Sequence, residues 1–214
     1  MMRIRTSSRL LAALYACCLA LSAPSTASAR TLSPGLTPAE VATEAYARMK
    51  AGHWSEAAEA FDPAALARFR TLLGPLLDAA GKPPGGAEDP NAAARTTLQV
   101  LFAPAKTVDE VRALPDAELF ARVMSSTLSL AGASLERQQV LGTVKEGADL
   151  AHVIVRSTAA MGDRRVSRVE AISLHRTRQG WRLVLTGELE GLAESLQPAI
   201  PDAEPAPPAA SGRP

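Results

Sequence analysis

A chain of 214 residues with 23 lysines and arginines against 22 aspartates and glutamates carries no strong field of either sign. That balance excludes nucleic acid and anionic membrane surfaces as charge-driven partners. Both cysteines, Cys17 and Cys18, lie near the start of the chain, and only 4% of residues are aromatic, so stability must come from a packed, mainly aliphatic core.

Residues 1–29 have three parts: Arg3, Arg5 and Arg9, an apolar run from Leu10 to Leu21, and small residues ending Ala27-Ser28-Ala29. This is the pattern of a secretory signal peptide, and it predicts a secreted or periplasmic protein cleaved near Ala29. The run is shorter than the roughly 20 residues of a membrane span, so no integral span is expected after cleavage. Leu14-Tyr15-Ala16-Cys17 loosely resembles a lipoprotein box, which makes lipid attachment at Cys17 the alternative. Cleavage after Ala29 removes both cysteines and three arginines but no acid, leaving 20 basic and 22 acidic residues.

Residues 30–36 form a short lead into a single domain spanning 37–197. Thr37-Pro38-Ala39-Glu40 is a helix start: the Thr caps, the Pro loses nothing at the first turn, and the Glu closes a capping box. A first helix is expected to about Ala51, with Gly52 as its stop. A short second helix is predicted over Ser55–Phe61. A third starts at Asp62-Pro63 with an apolar stripe of Leu66, Phe69, Leu72, Leu73, Leu76 and Leu77, and Pro75 should kink or end it. Gly81–Asn91 reads as loop and Ala92–Phe102 as helix. Thr107-Val108-Asp109-Glu110 opens a short helical turn, and Asp116 begins a longer helix with Leu119, Phe120, Val123, Met124 and Leu128 on one face.

The segment Ala45–Ala64 partly matches a tetratricopeptide helix pair. Such arrays need about three copies to bury their faces, and no second copy follows.

Beyond Arg137 the hydrophobic period becomes two. Strands are predicted at Val140–Lys145, Leu150–Thr158, Val166–Arg176 and Trp181–Leu189, joined by turns too short for parallel crossovers. Arg164 and Arg165 fall in one of these turns. The expected class is α+β, with N-terminal helices packed on a C-terminal four-stranded, curved antiparallel sheet. Residues 198–214, rich in proline and alanine, are expected to be a disordered tail.

The helix pair with its Gly-x-aromatic junction, "AGHWSEAAEAF", and the closing strands "VEAISLHRTRQGWRLVL" resemble the NTF2-like superfamily, of cystatin-like architecture. The resemblance implies a cone in which a curved sheet wraps a helix around a pocket. Its members include isomerases, dehydratases, cyclases, transport factors and secreted domains of unassigned role. Nothing in the motifs transfers a catalytic residue.

The last hairpin fixes candidate faces by parity. A loop of Thr177-Arg178-Gln179-Gly180 pairs Arg176 with Trp181, Leu174 with Leu183 and Ile172 with Leu185. Ile172, Leu174, Trp181, Leu183 and Leu185 then face the core, while Ser173, His175, Arg182 and Thr186 face outward. His152 shares the outer face. No metal site and no cofactor is expected. The same parity turns Glu170 inward opposite Gly187, unless a bulge reverses it. Desolvation makes an inward carboxylate more basic, so Glu170 is the one catalytic candidate. Candidate pocket residues are Glu170, Trp181, Trp54 and Tyr46.

The reading is a binding or interaction domain for a small apolar ligand or a protein partner. The alternative is a cofactor-free isomerase, dehydratase or cyclase using Glu170. A homodimer through the outer sheet face would place an apolar patch around Val184 and Ile154.

Overall fold

The computed structural model describes residues 32–86 and 89–196. The expected leader, with its cleavage and lipidation positions, and the expected tail from 198 lie outside the described residues. Among the described residues seven helices precede the sheet: α1 (Pro38–Lys50), α2 (Trp54–Ala58), α3 (Pro63–Leu72), α4 (Gly74–Ala80), α5 (Ala92–Phe102), α6 (Val108–Arg112) and α7 (Asp116–Leu130). The strands β1 (Ala133–Glu146), β2 (Leu150–Met161), β3 (Arg164–Thr177) and β4 (Gly180–Leu183) form one antiparallel sheet in chain order, and α8 (Gly187–Ser195) follows. The architecture is the expected α+β arrangement, with a curved, unclosed sheet. No helix among the described residues is long and apolar enough to cross a membrane.

Local chemistry sets the helix boundaries. The Thr37 hydroxyl accepts from the Glu40 amide while the Glu40 carboxylate accepts from the Thr37 amide at 2.8 Å; because Pro38 has no N–H, this satisfies two of the three orphan N–H groups at the start of α1. The Glu40 carboxyl is held below its usual pKa by the Thr37 backbone N–H and by the Thr37 hydroxyl, which donates to Glu40 Oε2 at 2.8 Å. Gly52 takes φ +80° just past the C-cap. Asp62 caps α3 by accepting from Ala64 N–H at 2.7 Å. The stripe continuing past Pro75 is broken at Leu73, and Pro75 sits in the first turn of α4.

Helix α2 ends at Ala58, short of the expected Phe61, because its exit segment becomes part of the sheet margin. The Leu183 amide donates to the Ala60 carbonyl and the Asp62 amide to the Leu183 carbonyl, both at 2.8 Å, so Phe61 bridges β4 in parallel.

The core lies between the helices and the inner face of the sheet. Ala151, Val153 and Val155 of β2, with Leu174 of β3, are fully buried. Opposite them, Phe120 of α7 meets Phe61 with ring centroids 4.8 Å apart and Phe69 edge-on at 5.2 Å. Such aromatic pairs add about 0.5–1.5 kcal/mol each beyond buried area.

Three strand expectations are corrected. Strand β1 begins at Ala133, seven residues before the expected Val140. Glu136 and Leu141 are extra residues at bulges, since Leu135 pairs with Ala159 and Arg137 with Thr158, and Val140 with Val155 but Gly142 with Ile154. Inward positions therefore switch from odd (Ala133, Leu135) to even (Gln138, Val140) and back, and no period-two pattern survives in the sequence. Arg164 and Arg165 belong to β3, because the turn narrows to Gly162-Asp163 with Gly162 at φ +58°. Strand β4 ends at Leu183 rather than Leu189: Thr186 caps a new helix by accepting from Leu189 N–H at 3.4 Å, and Glu188 and Glu190 suit its positive N-terminus.

The early end of β4 leaves the first half of β3 at the sheet edge. Val184 N–H donates to the Ser173 carbonyl at 3.0 Å, so odd-numbered backbone groups of β3 point away from β2. Among the described residues no strand pairs with those of Arg165, Ser167, Val169 and Ala171.

Candidate apolar cleft

Between α1, α7 and the inner sheet face lies a cleft of about 880 Å³. Its walls are mainly apolar: Met49 and Trp54 from the first helix pair, Met124 and Leu128 from α7, and Leu135 and Ala159 from the sheet. Phe61 and Phe120 connect its floor to the core. Past the edge of β3 the wall is completed by the segment from Val184 to Leu189.

One side of the cleft is polar, for a reason of register. Gln138 of β1 faces Ser157 of β2, which faces Arg168 of β3, so these three side chains share the inner face in one row. Glu170, two residues along and opposite Val155, joins them. Ser157 Oγ donates to Glu170 Oε1 at 2.7 Å, and Arg168 Nη2 lies 3.1 Å from Glu170 Oε2 and 3.0 Å from Glu188 Oε2. The Glu170 side chain is only 22% exposed.

Tyr46 reaches this row from α1. Its hydroxyl lies 3.5 Å from the Thr158 carbonyl, and burial pushes its pKa above the ordinary tyrosine value, with the nearby charges of Glu136 and Glu170 adding to the effect and the Arg137 backbone opposing it.

The expected candidates divide. Glu170, Trp54 and Tyr46 line the cleft together, whereas Trp181 is buried in the core and does not reach it. Glu170 takes the inward side, but its expected neighbour Gly187 is in α8; the β2–β3 register runs without a bulge and sets Glu170 against Val155. Ile172 likewise pairs with Val153, and Leu185 is outside β4. The hairpin register itself is as expected, Leu174 to Leu183 and Arg176 to Trp181, with Thr177 also pairing Gly180 so that only Arg178 and Gln179 form the loop.

Sequence parity alone did not find Gln138, Ser157 and Arg168. The bulges of β1 hid the first. The signal for the second was present: along β2 the inward series Ala151, Val153, Val155 is interrupted by Ser157, a polar residue where the pattern calls for an apolar one.

No protein-family model, curated protein or solved structure matches this chain.

The outer sheet face holds His152 and His175, as expected from parity, and each lies beside a carboxylate. His175 Nδ1 is 3.1 Å from Asp62 Oδ2, and His152 bridges Ser173 Oγ at 2.9 Å and Glu146 Oε2 at 3.2 Å. Among the described residues no group of three or more His, Cys, Asp or Glu side chains is arranged to hold a metal. Val184 and Ile154, expected in an exposed apolar patch, are half-buried; Val144 and Val169 are the exposed valines flanking Ile154 on that face.

Proposed function

We propose that this chain is an exported binding domain of NTF2-like character, released by cleavage near Ala29, that takes a small apolar ligand in the cleft between α1, α7 and the sheet. The observation that carries this reading is the cleft itself: about 880 Å³, lined mainly by aliphatic, thioether and aromatic side chains, with Gln138, Ser157, Arg168 and Glu170 together on its sheet side. Ligand sites have this composition, with apolar walls giving affinity and a few placed polar groups giving orientation. The volume is in the range of sites that hold drug-sized molecules.

Binding is favoured over proton abstraction because both Glu170 oxygens are engaged, one by Ser157 and one by Arg168. A carboxylate so held is suited to orienting a group and has little freedom to accept a carbon-bound proton.

The test uses the mature chain and the neutral dye Nile red, whose fluorescence rises in apolar surroundings. Saturable binding at one site is expected. Ala159→Trp, which fills the cleft from β2, should abolish it, while Val144→Trp on the outer face should leave it intact. Absence of saturable binding, or loss with Val144→Trp alone, would refute the reading.

A further inference from the structure

We infer that the ligand of this cleft is an amphiphile whose head donates a hydrogen bond, as an alcohol or a protonated amine does, and is not a carboxylate or phosphate. The inference rests on the proposed binding function and adds the chemical class of what is bound.

It starts from an unsatisfied atom. Gln138 lines the cleft, and its Oε1, buried behind that wall, has no hydrogen-bond partner among the described residues. A buried carbonyl oxygen without a donor loses its hydration and gains nothing in return, which is rare in native interiors and costs more than a typical hydrogen bond contributes. A donor arriving with a ligand would restore that loss at the moment of binding.

The surrounding groups leave the same kind of capacity. Ser157 spends its one O–H on Glu170, so what remains on its oxygen is acceptor lone pairs. Glu170 is acceptor-only when ionised, and the nearby Thr158 carbonyl is an acceptor too. The one cation of the row, Arg168, lies between the carboxylates of Glu170 and Glu188, so it is already more than neutralised. An anionic head would therefore meet two carboxylates and a spent guanidinium. A hydroxyl or ammonium would meet acceptor lone pairs on Gln138, Ser157 and Glu170.

Gln138 is thus a ligand-positioning residue whose acceptor goes unused until a ligand arrives. This gives it a double signature that a structural residue lacks. Gln138→Leu removes the unsatisfied oxygen at nearly constant shape, so the unliganded protein should become more resistant to urea while recognition of the head is lost.

The experiment is displacement of Nile red from the mature chain by 1-decanol, by its methyl ether 1-methoxydecane, and by decanoate. The alcohol and ether share a chain and an oxygen and differ in the donor. The alcohol should compete at a concentration about tenfold lower than the ether, as expected for one hydrogen bond to a group otherwise left unpaired. Decanoate should be the weakest. In Gln138→Leu the alcohol and ether should become equivalent and the urea midpoint should rise. Equal competition by alcohol and ether in the native chain, preference for decanoate, or discrimination that survives Gln138→Leu would each overturn the donor-head inference while leaving apolar binding in place. Failure of Nile red itself to bind would instead refute the proposed function.

Discussion

Gly180 offers the sharpest test of how the lead segment and the last hairpin fit. Its φ is +99°, and a Cβ built there would lie 2.8 Å from the Pro34 carbonyl oxygen, 3.2 Å from Pro34 Cα and 3.3 Å from its carbonyl carbon. All three contacts are backbone, so no side-chain rotation relieves them. The lead itself is anchored, since Leu32 is only 3% exposed and belongs to the core. Gly162 serves as the internal control: its φ of +58° is also left-handed, but nothing lies within 4 Å of its missing Cβ. Gly162→Ala should cost about 1 kcal/mol, the left-handed strain less the entropy removed from the unfolded chain. Gly180→Ala adds to this the cost of forcing atoms into packed space, for a total of about 3 kcal/mol. The gap of about 2 kcal/mol corresponds to roughly 4–8 °C in Tm for a domain of this size. Urea titration of both variants, followed by the fluorescence of Trp54 and Trp181, measures it. Equal destabilisation of the two would show that the lead does not press against the hairpin.

Two further outcomes follow from the core and the cleft. Phe120→Ala empties a fully buried site that touches both Phe61 and Phe69, and should lower unfolding free energy by about 3–5 kcal/mol in the same titration. Tyr46 is the one tyrosine beyond the expected leader, so absorbance at 295 nm against pH reads it alone; its transition should lie above the ordinary value of 10.0 because burial opposes the phenolate. Since the folded pKa exceeds the unfolded one, the associated stability is complete below pH 10 and is lost as pH rises through the folded value; a transition at or below 10 would contradict the buried position.

The helices were legible because their ends are written in short-range chemistry. Thr37-Pro38-Ala39-Glu40 and Asp62-Pro63 work through bonds spanning two or three residues, which sequence spacing captures. Strands β2 and β3 were legible because a single continuous register keeps their alternation unbroken. Strand β1 was not, because the extra residues Glu136 and Leu141 reverse the facing of everything between them. Helix α8 was read as strand because Leu183, Leu185 and Leu189 continue the odd-numbered alternation of β4, and the decision fell to the Thr186 cap. Within the cleft, the inward side of Glu170 followed from local parity. Its partnership with Ser157 and Arg168 depended on which strands are neighbours and in what register.

The half of β3 with which no described strand pairs bears on how the protein behaves at high concentration. An open row of backbone donors and acceptors invites a strand from another molecule, and exposed Val166 and Val169 would make such pairing more adhesive. Three arginines, Arg164, Arg165 and Arg168, stand along that same stretch, so a parallel copy laid against it in register would meet like charge. Charge on the margin thus discourages fibrous stacking at the place where the sheet is open beside the cleft.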